Sequence, residues 1–166
     1  MRNTRKGFTL IELMIVIAII AIIAAIAIPG ILSARRSANA GSALANLKSF
    51  STAMATFAQD SPTQSYPANT AGFGDYYSHL SPKGGYKYQY NTNTGLSRFT
   101  YSTYPVSINN GTKLYFVDES NRIYEANATA SSDIPAANGS LTVNVDATSG
   151  SQVTLPGTSR TWTPKS

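Results

Sequence analysis

Residues 1–30 read MRNTRKGFTLIELMIVIAIIAIIAAIAIPG. From Phe8 to Ile28 the only side chains that are not apolar are Thr9 and Glu12. At about 1.5 Å per helical residue the run is roughly 30 Å long, enough to cross a bilayer. Arg2, Arg5 and Lys6 precede it, so the positive-inside rule leaves Met1 to Gly7 in the cytoplasm and sends the rest outward. Glu12 is the residue that does not fit. A charge at the centre of a span costs roughly 2.5–3.5 kcal/mol on insertion scales, and less near an end, so an intramembrane carboxylate calls for a cation.

Two ordinary readings compete. A secretory signal peptide accounts for the basic start, the apolar stretch and an A-x-A match at Ala25-Ile26-Ala27, with a cut before Ile28. An uncleaved membrane anchor accounts for the length. Neither explains Glu12. The segment KGFTLIELMIVIAIIAIIAAIAIP resembles the N-terminal signal of type IV prepilins and type II secretion pseudopilins: a short basic leader, Gly7, then Phe8-Thr9-Leu10-Ile11-Glu12, and Pro29, all in register. The resemblance is specific over residues 5–30 and looser beyond residue 60. It implies that a membrane aspartyl peptidase, the prepilin peptidase, cuts after Gly7 and methylates the new N-terminus at Phe8. It also puts Glu12 at the fifth mature position, where the family carries a glutamate. The physics agrees. Cleavage creates an α-ammonium at Phe8 inside the apolar layer, one helical turn from Glu12. Between subunits the two charges neutralise one another in low dielectric, which favours association and fixes register.

Beyond the span, Pro29-Gly30 combines a lost backbone donor with added freedom and reads as a helix kink or a locally unwound stretch. The helix is expected to continue to about Gln59. Ala43, Leu47, Phe50, Met54 and Phe57 recur at alternating four- and three-residue steps, an apolar stripe on one face that packs against a head. The opposite face is assigned Arg35, Arg36, Ser37, Asn39, Lys48, Ser49 and Gln59. Arg35 and Arg36 stand directly after the span, in mild tension with the positive-inside rule, and are candidates for lipid headgroups or for neighbours in a filament.

From residue 61 to 85 the chain is punctuated by Pro62, Pro67, Gly72, Gly74, Pro82, Gly84 and Gly85, which suits an irregular connector. Periodicity then changes to two. Tyr86-Lys87-Tyr88-Gln89-Tyr90 and Arg98 to Tyr104 form a hairpin around Asn91 to Gly95. Lys113 to Val117 and Arg122 to Glu125 follow turns at Asn109-Asn110-Gly111 and Asp118 to Asn121. The expected fold is α+β: a long N-terminal helix, apolar in its first half, packed on a small antiparallel β-sheet head. This is also the pilin-like fold that the resemblance implies. Leu141 to Val145 and Gln152 to Leu155 suggest an extra hairpin, with a loose tail after Pro156. The organisation is thus a cleaved leader at 1–7, a transmembrane or filament-core half at 8–32, an amphipathic half at 33–60, and a head with a C-terminal extension at 61–166.

Composition bounds the chemistry. There is no cysteine, so neither a disulfide framework nor a thiolate metal site arises. The formal charge is +5, but three of the positive charges sit in the leader, and the remaining Lys and Arg are scattered. No basic patch for nucleic acid is visible. His79 is the single histidine, which leaves one possible base for any hydrolytic triad and reads as a loop residue. No enzyme is expected. Asp118, Glu119 and Asn121 are closely spaced oxygen donors, and the resemblance brings calcium into view because major pseudopilins hold it. A polar turn between strands fits these residues better, so no cofactor is expected. The ten tyrosines read as sheet packing with hydroxyls at the rim. With no aromatic between Phe8 and Phe50, a conducting series along the filament core is disfavoured. Sequons stand at Asn110, Asn127 and Asn138.

The leading expectation is a type IV pilus subunit. It is stored in a bacterial inner membrane with its N-terminus cytoplasmic, then polymerised on the cell surface with identical and related pilin subunits by the assembly machinery. A pseudopilin of a type II secretion system is the alternative, and a membrane-anchored binding module is the second.

Overall fold

The computed structural model describes residues 7–78 and 82–135, together with the backbone of residues 142–144, 152–154 and 163–164. The leader residues 1–6, His79, Asn138 and the turn at Thr148-Ser149-Gly150 lie outside the described residues. The chain divides into two compact units, residues 1–35 and 36–166.

In the first unit the fold is one helix. α1 spans Leu10–Asp60 without interruption and so runs on into the second unit. Its apolar run has a mean hydropathy of 3.1, and none of that stretch is buried within the chain. Ala and Leu supply good helix propensity and the many β-branched Ile residues a weaker one, and the side chains of the run pack no core of their own. Pro29 lies inside the helix. The locally unwound alternative is therefore corrected: proline removes one ladder bond, and the turns on either side hold the helix together.

In the second unit the remainder of α1 packs on a sheet. β1 (Tyr86–Thr92), β2 (Phe99–Pro105), β3 (Lys113–Asp118) and β4 (Ile123–Asn127) form an antiparallel meander. The register sets Tyr90 opposite Tyr101 and Tyr101 opposite Val117. Because side chains alternate across a strand, Tyr86, Tyr88, Tyr90, Phe99, Tyr101, Tyr115 and Val117 share one face. That face meets Ala43, Leu47, Phe50 and Met54, all fully buried, with Phe57 half-buried at the margin. The connector is not merely irregular. Asn69 caps a short 3-10 turn, Thr70–Phe73, by accepting from the amides of Ala71 and Gly72, and this drives Phe73 into the core. Before β1, Gly85 turns the chain at φ +74, where a Cβ would crowd Asn110.

β2 is buried on both faces. Behind the sheet a second cluster joins Tyr104, Leu114, Phe116, Ala128 and Ile134, with Ile108 and Tyr124 packed against it. Phe116 and Tyr124 stack at 4.7 Å. Asp133 closes this layer: its carboxylate accepts from the Thr129 amide at 2.7 Å and the Ala130 amide at 2.8 Å. The extra hairpin is present as β5 (Thr142–Asn144) paired with β6 (Gln152–Thr154). The loose tail after Pro156 is corrected, because β7 (Thr163–Pro164) pairs with Tyr124 and Glu125 of β4. β7 is the edge strand of this sheet, and proline is tolerated at such an edge.

The hydroxyls of the β1 tyrosines are bonded within the head. Tyr86 donates to the Lys113 carbonyl at 3.0 Å and Tyr90 to the Pro67 carbonyl at 2.7 Å, while Tyr88 accepts from Asn46 Nδ2 at 2.8 Å. Burial pushes the phenols of Tyr77 and Tyr115 up to about 12, and it raises those of Tyr86 and Tyr90 as well. An unfolded tyrosine titrates at about 10. Stability that depends on neutral buried phenols is fully present below that value and is lost as pH rises through about 12. We expect tyrosinate absorbance and near-UV circular dichroism to change together in that alkaline window. Ionisation near the unperturbed value with the fold intact would contradict the burial.

Candidate functional site

Glu12 sits in the first turn of α1 and has a partner within the chain. Its Oε2 accepts from the Thr9 amide at 2.9 Å and from the Thr9 hydroxyl at 2.7 Å, while the Glu12 amide donates to Thr9 Oγ1 at 3.3 Å. This reciprocal arrangement is a capping box, in which a Thr-x-x-Glu sequence satisfies backbone donors that the helix start leaves unpaired. The carboxylate also faces the positive end of the helix dipole. Sequence reasoning sought a cation for Glu12 and missed this neutral partner, although Thr9-Leu10-Ile11-Glu12 carries the motif. All of these carboxylate contacts use Oε2, so among the described residues Oε1 is left to accept from outside the chain. Phe8, next to this cap, is 88% exposed, and Gly7 is exposed beside it.

Downstream, Phe50 lies at the centre of the anchoring core. Its ring stacks on Tyr101 at 3.8 Å and meets Tyr77, Phe73 and Phe99 edge-on at 5.0, 5.4 and 5.6 Å. Leu47 and Met54 fill the turns on either side. The assignment of Arg36 and Asn39 to the outer helix face is corrected. Asn39 Nδ2 donates to the Asn110 carbonyl at 2.9 Å, and Arg36 Nε reaches the Asn109 carbonyl at 3.5 Å. The same four- and three-step pattern, continued backwards from Ala43, passes through Ala40 and Arg36. The packing face therefore extends past the last apolar side chain. Arg35 remains exposed.

The turn after β3 spends its oxygens separately. Asp118 Oδ1 accepts from the Ser120 amide at 3.0 Å and from its hydroxyl. Asn121, at φ +62, accepts from the Ser51 hydroxyl of α1. Glu119 pairs with Arg98 at 3.6 Å, and burial raises its carboxyl above the usual range. Among the described residues no three His, Asp or Glu side chains gather as a metal site. A cation here would have to displace Arg98 and the Ser51 hydroxyl.

These features can be set beside known proteins. Residues 2–28 match the family described as a prokaryotic N-terminal methylation motif. Over 85 residues the chain is 41% identical to the type IV major pilin protein PilA of Myxococcus xanthus (strain DK1622). Both matches include or point to the N-terminal type IV prepilin signal, to which this chain is similar. The aligned stretch is 51% of this chain and 36% of the relative, so the chain spans about a third of the length of the curated relative it matches. No solved structure gives a significant match.

Proposed function

We propose that the chain is a structural subunit of a type IV pilus. The first half of α1 holds the precursor in the inner membrane with its N-terminus cytoplasmic. The prepilin peptidase cuts after Gly7 and methylates Phe8, and the subunits then polymerise through the apolar half of α1. The observation that carries this reading is the join in one helix of a methylation motif and a fully exposed apolar run with a stripe sunk into a folded head. A helix this apolar needs either lipid or other helices around it, and a filament core supplies the second after the first is left behind. In the filament Glu12 keeps its cap on Oε2 and offers Oε1 to the α-ammonium of a neighbouring subunit. The similarity to a type IV major pilin weighs for a pilus over a secretion pseudopilus.

The test is mass spectrometry of the dominant subunit in filaments sheared from the cell surface. We expect the mature chain to begin at Phe8 and to carry one N-methyl group. A start at Ile28 would mean a secretory signal, an intact Met1 would mean a plain anchor, and either would overturn the proposal.

A further inference from the structure

Where α1 enters the head, Arg36, Ser37, Ala40, Thr112 and Lys113 line a cavity of about 110 Å³. Two cationic and two hydroxyl-bearing residues line it, and no acidic residue is among them. The frame is held from both sides. Asn39 ties the helix to the Asn110 carbonyl at 2.9 Å, and the Ala128 amide donates to the Thr112 carbonyl at 2.7 Å. Lys113 Nζ lies 3.4 Å from both carboxylate oxygens of Glu125, which fixes its place and cancels one charge. Arg36 is half-buried, and among the described residues its one long contact, to the Asn109 carbonyl, uses Nε, which leaves the terminal guanidinium donors for a ligand. The residual charge is therefore a single positive one, set among oxygen-binding donors.

We propose that this pocket binds a phosphate group, and that in the membrane-held chain the phosphate is the headgroup of an anionic phospholipid. The forked guanidinium suits phosphate oxygens, and the hydroxyls of Ser37 and Thr112 supply further donors. A phosphodiester carries one negative charge and matches the one left over. Arg36 follows Leu32, the last large residue of the apolar run, by four residues in the sequence. That places it at headgroup depth when the run spans a bilayer. It also gives Arg36, behind the span, a ligand that offsets its conflict with the orientation bias. The inference rests on the membrane-held stage of the proposed function and not on polymerisation, so its failure would leave the filament reading standing.

The experiment uses the full chain, with labelled arginine and backbone amides, in nanodiscs followed by nuclear magnetic resonance. Three arms are compared: phosphate-free glucosyl diacylglycerol discs, the same discs containing phosphatidylglycerol, and phosphate-free discs with added inorganic phosphate. We expect phosphatidylglycerol to shift the Arg36 Nε and Thr112 amide signals. Arg36→Gln should weaken that response about tenfold, the scale of one lost charge-assisted hydrogen bond, whereas Arg35→Gln leaves it in place. Lys113→Gln should weaken it too, and dispersed tyrosine ring signals check that each variant is folded. Identical spectra with and without phosphatidylglycerol would overturn the site. Equal losses in Arg35→Gln and Arg36→Gln would reduce it to diffuse surface attraction and overturn it as well. An equally strong response to inorganic phosphate would overturn the lipid assignment.

Discussion

Glu12→Gln is expected to insert into the membrane normally, keep its first helical turn ordered, and yield almost no filaments. The substitution separates two roles that the structure joins at one side chain. Glutamine still serves in a capping box, so the bonds between residue 12 and Thr9 survive in form. What disappears is the charge. An α-ammonium carried into a helix-lined core would then stand unpaired in low dielectric, and leaving one partner of a buried pair without the other costs about 3–5 kcal/mol. Repeated at every subunit, that penalty moves the balance towards the membrane-held state. In the precursor no ammonium exists at Phe8, so insertion has nothing to lose.

The control is Thr9→Ala. It removes a cap worth about 1 kcal/mol and leaves the carboxylate charged, so filaments should form at reduced yield. Surface filament mass and membrane-fraction abundance, measured together, decide the matter. Glu12→Gln filaments at normal yield would show that the cap, and not the charge, is what the position supplies.

The two roles of Glu12 also show what the sequence let a reader see. Its charge stands out in an apolar run, and the resemblance to prepilins supplies the missing cation through cleavage after Gly7. The cap was equally legible in Thr9 to Glu12, but a membrane reading directs attention away from neutral partners. The anchoring stripe was plain because Leu47, Phe50 and Met54 are apolar at helical spacing, whereas Arg36 and Asn39 continue the same face with polar side chains. The second core had a signal too. Leu114-Tyr115-Phe116-Val117 is apolar at four successive positions, and a strand apolar at every position is covered on both faces. The hydroxyls of Tyr86 and Tyr90 had none. Their acceptors are backbone carbonyls more than twenty residues away, at Pro67 and Lys113, and no side-chain pattern encodes such a partner. The β7 pairing is equally illegible, since two residues carry no periodicity.

Phe50→Ala is expected to unfold the head at ordinary temperatures or leave it close to its midpoint. Phe50 is fully buried on α1 and touches rings from the connector and from both strands of the first hairpin: Phe73 and Tyr77, then Tyr90, Phe99 and Tyr101. Truncating a buried phenylalanine costs about 3–5 kcal/mol through lost transfer energy and the cavity left behind. Each ring pair adds roughly 0.5–1.5 kcal/mol beyond burial. A domain of this size holds about 5–15 kcal/mol in total, so one side chain decides a large share. The surrounding rings are too rigid to collapse into the space, and the sheet cannot approach the helix without breaking Asn46 to Tyr88 and Ser51 to Asn121.

The measurement is denaturant unfolding of the full chain in detergent, followed by near-UV circular dichroism of the tyrosines. The apolar half of α1 supplies no residue to this core, so far-UV helicity from that half should persist while the tyrosine signal is lost. Phe57→Ala is the internal comparison: its ring is half-buried and meets Tyr76 at 5.1 Å, and it should cost far less. A loss at Phe57 equal to that at Phe50 would mean that the stripe is held evenly along its length and has no centre, contrary to the ring geometry around Phe50.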